Sequence, residues 1–416
     1  MISDQDGHQG NDPDSGPGNV RGNDSGNSRG NDPGNVRGDD QDKDMTSQLR
    51  TVLIVGTGLI GTSLALALRR KDVRVLLADR DQGAVRLARE LGAGEEWRPG
   101  EARAERRSGD PDPEIDLAVI AVPPAHVAGE LLRLQKAGVA RFYTDVASVK
   151  AEPIQRAIEL GCDLSTYVAS HPLAGRERSG PGAARADLFL GRPWALCPTA
   201  EATAAARESV LRLVELCGAN PMEVDATDHD GAVAVVSHAP HVTAAAVAAR
   251  LADASDIALG LAGQGVRDVT RIAGSDPGLW LGILSGNAAP VADVLEAVSR
   301  DLAEAATALR ALAGGDGTAG GELTHLLKRG VAGHGRIPGK HGGPAPAYVV
   351  VPVVIGDRPG QLARLFQICD EVGVNVEDVR LEHAPGLPLG IAELSVQPDS
   401  ADALNRALHE RGWQVP

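Results

Sequence analysis

Thr51-Val-Leu-Ile-Val-Gly-Thr-Gly-Leu-Ile-Gly61 carries an apolar run straight into Gly56-x-Gly58-x-x-Gly61, and the amphipathic Ser63-Leu-Ala-Leu-Ala-Leu-Arg-Arg70 follows. That order predicts a strand, a tight turn and a helix. The first glycine makes the turn, the second lets backbone approach a pyrophosphate, and the third lets the helix pack on the strand. Free N–H groups at the start of the helix, where Leu59 and Ile60 lie, face the anion. A second apolar run, Val73-Arg-Val-Leu-Leu-Ala-Asp79, ends in an acid 18 residues after Gly61. A carboxylate there pairs with the two adenosine ribose hydroxyls and repels a phosphate on one of them, so Asp79 favours NAD over NADP. Arg80, its neighbour, is a cation that could receive such a phosphate.

Around this unit the pattern of strand and helix repeats through Ile115-Asp-Leu-Ala-Val-Ile-Ala-Val-Pro123, Phe142-Tyr-Thr-Asp-Val-Ala-Ser148 and Tyr167-Val-Ala-Ser170. Alternation of this kind predicts an α/β fold, a Rossmann-type doubly wound parallel sheet over residues 48–200. Val122 and Pro123, at the end of the third strand, complete the expected cofactor set. The segment 95–113, rich in Gly, Pro and charge, reads as a surface loop. Residues 201–313 are Ala-rich with helical spacing and predict an all-helical domain. Its apolar faces, as in His241-Val-Thr-Ala-Ala-Ala-Val247, are too broad for an exposed helix and suit a homodimer interface.

Residues 314–346, rich in Gly and Pro, read as a flexible linker. The order strand, helix, strand, strand, helix then fills 347–416, with a short last strand expected at Trp413–Val415; this is the split βαβ of small ferredoxin-like domains. Residues 1–47 repeat GNDP and GNVRG units with almost no apolar content and are expected to be disordered. Met45, just before the first strand, is a candidate translation start.

Bulk properties narrow the classes of partner. A net charge of −15 argues against nucleic acid, which needs a basic field, and an anionic substrate would need a local basic pocket. Four cysteines, Cys162, Cys197, Cys217 and Cys369, lack CxxC spacing and suit reduced thiols in a cytoplasmic protein without a structural zinc. No apolar run in the sequence is long enough to read as a membrane span.

Two positions stand where an open α/β sheet holds its ligands, past the carboxyl ends of strands. One is Ser148; the other is His171 in Ser170-His-Pro-Leu-Ala-Gly175. A histidine beside a nicotinamide can take a hydroxyl proton near neutral pH, although a capping or structural histidine fits the position as well. Ser237-His-Ala-Pro-His241 places two imidazoles on one helical face, with Asp228, His229 and Asp230 upstream. The spacing is unlike a closed metal set, and no metal is assigned. Arg267 and Arg271 are two cations four apart, able to meet a carboxylate.

Jointly, GTGLIG, IDLAVIAVP, DVASVK, SHPLAG, DHDGAVAVVSHAPH and RDVTRIAGSDPGLW, in that order, resemble the prephenate and arogenate dehydrogenases of tyrosine biosynthesis. The resemblance covers Thr51 to about Leu312. It implies hydride transfer to NAD from the ring carbon bearing the hydroxyl, with loss of the ring carboxylate as carbon dioxide. His171 would accept or hold the hydroxyl proton, with Ser148 orienting the same oxygen. Arg271 would bind the ring carboxylate, Ser237 and His241 would face the substrate side chain, Trp280 would line the pocket, and Arg267 matches a position that is often basic. Thr57 replaces the usual apolar residue of the glycine turn, and Leu281-Gly282 replaces a more polar pair.

Asp228 and Asp230 are candidate partners for the ammonium group of arogenate, by proximity in sequence. Residues 347–416 resemble the ACT family of small-molecule sensing modules, through Asp357-Arg-Pro-Gly-Gln-Leu362 and Gly373-Val-Asn-Val376. Asp357, Gly360, Gln361, Leu362 and Asn375 are then effector positions and tyrosine the expected feedback effector; a plain dimerisation module is the other reading. Competing functions are a hydroxyacid dehydrogenase carrying an ACT module, which usually interrupts its substrate domain with the cofactor domain, and a non-catalytic protein sensing NAD and an amino acid.

Overall fold

The structure, a computed structural model, describes residues 49–98, 115–176, 178–339, 347–383 and 388–416. The expected disordered tail lies outside the described residues.

Strand β1 (Thr51–Val55) is buried along its whole length, and its alternating side chains feed two cores. Val52 and Ile54 join Leu64 and Leu68 of α1 (Leu59–Arg69), Val85 of α2 (Gln82–Glu90) and Val210 and Leu213 of α5 (Ala204–Leu216). Leu53 and Val55 join Val127 and Leu131 of α3 (Pro124–Lys136) and Ile154 of α4 (Ala151–Glu159) on the other face. A strand covered on both faces is the signature of a doubly wound sheet. Each such leucine, isoleucine or valine contributes about 1.5–3 kcal/mol by leaving water.

The sheet has eight strands among the described residues, in the order β3-β2-β1-β4-β5-β6-β7-β8. β2 (Arg74–Ala78), β4 (Leu117–Ile120), β5 (Phe142–Asp145) and β6 (Tyr167–Pro172) continue it in parallel from β1. The order reverses between β1 and β4, the switch point where such sheets bind dinucleotides.

Six expectations need correction here. Glu95–Glu96 forms a short parallel edge strand, β3, within the expected loop, and residues 99–114 of that loop lie outside the described residues. β7 (Pro193–Cys197) runs antiparallel to β6, so the sheet is mixed. Asn220–Glu223 forms β8 beside β7, so α5 and β8 belong to the sheet although they follow residue 200. The strand was masked because Asn220-Pro-Met-Glu is exposed at the sheet's edge and has no alternating apolar pattern.

The fourth concerns 314–346. Gly320–His334 is a helix, α12, packed on α11 (Ala288–Ala313), and Arg329 reaches Asp301 at 2.6 Å. Leu323, Leu326, Leu327 and Val331 are spaced three, four and eight apart from the first, a helical stripe that the surrounding glycines hid. Residues 340–346 lie outside the described residues.

The helical region begins with α6 (Ala226–Val233), a π turn (Ala234–His238) and α7 (Ala239–Ala249). Pro240 has no N–H to give, and the helix widens just before it instead of breaking. This continuous helix, Ala226–Ala249, is long and apolar enough to cross a membrane, contrary to the sequence expectation, with 33% of its most apolar window buried. Its first turns hold the buried His229 and Asp230. Short helices α8 (Asp256–Gly260), α9 (Gln264–Thr270) and α10 (Pro277–Gly286) follow, then α11 and α12. The buried core here is small: Ala234, Ala239 and Val291, with Leu284, Val294 and Leu295 partly covered.

β9 (Val349–Gly356), α13 (Gln361–Glu371), β10 (Val376–His383), β11 (Leu389–Val396) and α14 (Pro398–Glu410) form the last unit, an antiparallel sheet in the order β10-β11-β9. Its core joins Val351, Val353, Leu365, Leu394 and Leu404. Trp413–Val415 is not a strand. The Val354 N–H donates to the Gln414 carbonyl at 2.9 Å on the free edge of β9, and Trp413 and Val415 pack against the core of this unit.

Candidate active site

The three glycines of the turn sit in different surroundings. Gly56 has φ +105°, and a Cβ there would lie 2.2 Å from the Ala121 carbonyl oxygen; at Gly61 it would lie 1.9 Å from that of Gly56. Gly58 faces open space, with no atom within 4 Å of an added Cβ. That opening leads into a cleft of about 820 Å³ lined by Gly56, Gly58, Asp79, Arg80, Val122 and Pro123, among others. A dinucleotide fits it: room at Gly58 for a pyrophosphate, the N-terminus of α1 beside it and the Asp79 carboxylate in its lining. Leu59 is half-buried at the helix start, while Ile60 packs against the core and serves to seat α1. His126 and Trp97 line the cleft too, unassigned from sequence.

His171, on β6, is half-buried. Its Nδ1 lies 2.9 Å from Nε2 of His229, and Nδ1 of His229 lies 2.8 Å from Oδ1 of Asp230. A carboxylate oxygen only accepts, so His229 donates from Nδ1 and its Nε2 accepts from Nδ1–H of His171. The relay leaves Nε2 of His171 with its lone pair and no hydrogen bond among the described residues. Burial first, then the Lys150 charge, then His229 and His238, hold His171 well below the usual histidine range. It is a neutral imidazole ready to accept a proton.

Asp230 also accepts from the N–H groups of Lys150 (2.8 Å) and Ala151 (2.9 Å), capping α4 from the helical region. Both its oxygens are committed and it is 3% exposed, so it is not available to a substrate ammonium group as the sequence reading allowed. Asp228 is exposed on the first turn of α6. Lys150 is fully buried, paired with Asp145 and donating to the carbonyl of Ser170 at 2.6 Å. Tyr167 donates to the second oxygen of Asp145 at 2.6 Å. This network braces the backbone immediately before His171.

Asn287 donates to the Asp230 carbonyl (2.8 Å) and contacts Nδ1 of His238 at 3.0 Å. His238 meets the edge of Trp280, and Trp280 stacks on His241 with ring centroids 3.5 Å apart and planes 11° from parallel. His241 is 7% exposed and burial lowers its pKa. Ser237 is half-buried in the π turn. Arg267 lies on α9, and Arg271 is exposed on a 3-10 turn (Arg271–Gly274) that packs on α7. Ser148 is partly buried in the loop between β5 and α4, two residues before Lys150. The structure thus joins His171 to His229 and Asp230, and His241 to Trp280. Among the described residues no hydrogen bond joins Ser148, Arg267 or Ser237 to His171. No cluster of three or more His, Cys, Asp or Glu in a metal-holding arrangement occurs among the described residues.

In the last unit Gly360 has φ +84° before α13, Asp357 and Asn375 are exposed, and Gln361 is half-buried at the helix start. Asn375 donates to Glu377 at 2.7 Å, and Leu362 packs against the core.

A dinucleotide cleft at the switch point and a neutral, oriented imidazole near the carboxyl end of β6 define a nucleotide-dependent dehydrogenase. Residues 64–223 match the family described as "Prephenate dehydrogenase, nucleotide-binding domain" and residues 225–328 match "Prephenate dehydrogenase, dimerization domain". The chain is 42% identical to the "Probable prephenate dehydrogenase NovF" of Streptomyces niveus, over 88% of this chain and 99% of that one. It is 26% identical to the prephenate dehydrogenase of Bacillus subtilis, over 85% and 94%. Among solved structures it resembles the A. aeolicus prephenate dehydrogenase in complex with hydroxyphenyl propionate and NAD+. That match has a TM-score of 0.57 at 25% identity and covers 68% of this chain and 98% of that one. The chain belongs to the prephenate dehydrogenase family and is an NAD-dependent dehydrogenase.

Proposed function

We propose that this chain oxidises and decarboxylates prephenate to 4-hydroxyphenylpyruvate, with His171 as the general base. NAD accepts the hydride from the ring carbon that bears the hydroxyl. As that hydride leaves, Nε2 of His171 takes the hydroxyl proton, and Ser148 orients the same oxygen. Loss of the ring carboxylate as carbon dioxide makes the ring aromatic and puts the electron pair on the oxygen, which takes the proton back from His171. No net proton and no metal is required. Arg271 meets the ring carboxylate, with Arg267 adding positive charge in a chain that is otherwise acidic. Ser237 and His241 face the side chain, and Trp280 holds the His241 ring by stacking.

The observation that carries this reading is the Asp230–His229–His171 relay, which fixes the tautomer that proton abstraction needs. The same relay consumes Asp230, one of the two acids considered for the ammonium group of arogenate, and in that respect favours prephenate. It also weighs against a protein that only senses NAD and an amino acid. The test is NADH formation, followed by absorbance, with prephenate and then with arogenate. Turnover of prephenate with little or none of arogenate is expected; turnover of arogenate alone would refute the substrate assignment.

Three further readings belong to this proposal. The helical region makes a homodimer, since its own buried core is three residues while Val236 (70%), Ile257 (76%), Leu261 (80%) and Leu281 (68%) are exposed. Residues 347–416 are an ACT regulatory domain for tyrosine, with Asp357, Gly360, Gln361 and Asn375 at the effector site; the βαββα order and the left-handed Gly360 support it. The protein works in the cytoplasm, in keeping with four free, buried cysteines.

A further inference from the structure

Thr57, inside the glycine turn, makes specific contacts. Thr57 is fully buried, and both its backbone N–H (2.6 Å) and its hydroxyl (3.1 Å) reach Oδ2 of Asp79. Oδ1 of Asp79 accepts from the N–H of Asp81 at 2.9 Å. The Thr57 carbonyl in turn accepts from the Thr62 hydroxyl at 2.9 Å, which ties the turn to α1. Asp79 is therefore gripped at both oxygens, at the rim of a cleft that Arg80 and Gln82 also line.

We propose that Thr57 is a positioning residue for cofactor choice: its hydroxyl holds the Asp79 carboxylate in the cleft, so that NAD is accepted and NADP refused. A carboxylate free to rotate could turn away from a ribose phosphate and leave that phosphate to Arg80. One fixed by three donors cannot, and the phosphate must approach a like charge at close range in a partly desolvated cleft. An apolar residue at position 57 would keep the backbone donor and lose the hydroxyl, weakening the grip without removing the acid. The inference rests on Asp79 as the partner of the adenosine ribose.

The experiment compares kcat/KM for NAD and NADP, with prephenate saturating, in the wild-type protein and in Thr57→Val, Thr57→Ser and Asp79→Ala. Thr57→Val should raise the NADP-to-NAD ratio by about tenfold, the worth of one hydrogen bond to a charged group. The change should fall mainly in KM, and Thr57→Ser, which keeps the hydroxyl, should restore the wild-type ratio. Thr57→Ala serves in place of the valine variant if that one does not fold, with the same expected direction. A ratio unmoved in the valine or alanine variant, while Asp79→Ala shifts it, overturns the role of Thr57 and leaves the ribose reading standing. A ratio unmoved even in Asp79→Ala overturns both. A lowered melting temperature with an unchanged ratio assigns Thr57 a structural role only and refutes the proposal.

Discussion

Nε2 of His229 sits 2.9 Å from Nδ1 of His171, although the two residues are 58 apart in sequence and lie on different sides of the junction between the sheet and the helical region. Because Asp230 fixes the proton of His229, this contact sets which nitrogen of His171 meets the substrate. His229→Ala should lower kcat by at least about tenfold with little change in KM, since partners of this kind act through the tautomer and orientation of the base. Asp230→Asn should act in the same direction, and it should also lower the melting temperature, because the cap of α4 is weakened. Steady-state kinetics and a melting curve on each variant check both.

The pH dependence follows from the direction of the His171 shift. Its folded pKa lies below the ordinary value of about 6.5, so the native state holds fewer protons than the unfolded chain between those two values. Stability in that window rises with pH and is lost as pH falls below about 6.5; His238 and His241, lowered as well, add to the trend. Activity should stay on its plateau from neutral pH down past 6.5, with the acidic limb of kcat/KM below that point. A limb centred above 6.5 would contradict the neutral, buried base.

The glycines of the turn should separate folding from cofactor binding. Gly58→Ala, with open space around the new methyl, should keep its melting temperature and raise KM for NAD, because the methyl fills the room left for the pyrophosphate. Gly61→Ala would put a methyl 1.9 Å from the Gly56 oxygen and should destabilise the fold by about 1–3 kcal/mol. Thermal denaturation and NAD titration of the two variants distinguish the effects.

The contrast between these glycines was readable in the sequence because a turn of this kind constrains residue type at fixed spacing. The same holds for Asp79 and for the placement of His171 at a strand end. His229 and Asp230 were visible only as polar neighbours, and their use depends on a contact between distant segments that no local pattern encodes. β8 was hidden by an exposed, Pro-containing edge, and α12 by the glycines flanking a leucine stripe. Thr57 was visible as a polar residue inside the glycine turn, but its contact with Asp79 needed three dimensions.

The helix α12 moves the point at which the last unit can be removed. On the proposed reading of residues 347–416 as an ACT domain for tyrosine, the full chain should be inhibited by tyrosine and a chain ended after Pro338, beyond α12, should keep basal turnover without that inhibition, whereas ending it at Gly314 strips α12 from α11 and should lower stability. Inhibition that survives removal of residues after Pro338 would place tyrosine at the active site instead. Initial rates with and without tyrosine decide between the two.

The most direct test of His171 as the base is the rate of NADH formation from prephenate by His171→Asn, measured beside the wild-type protein at saturating NAD. Asparagine keeps a polar group of similar size but cannot take the proton, so kcat should fall by about 10²–10⁴-fold, with KM for prephenate nearly unchanged. A variant that turns over prephenate at the wild-type rate would remove His171 from the reaction and the relay behind it with it.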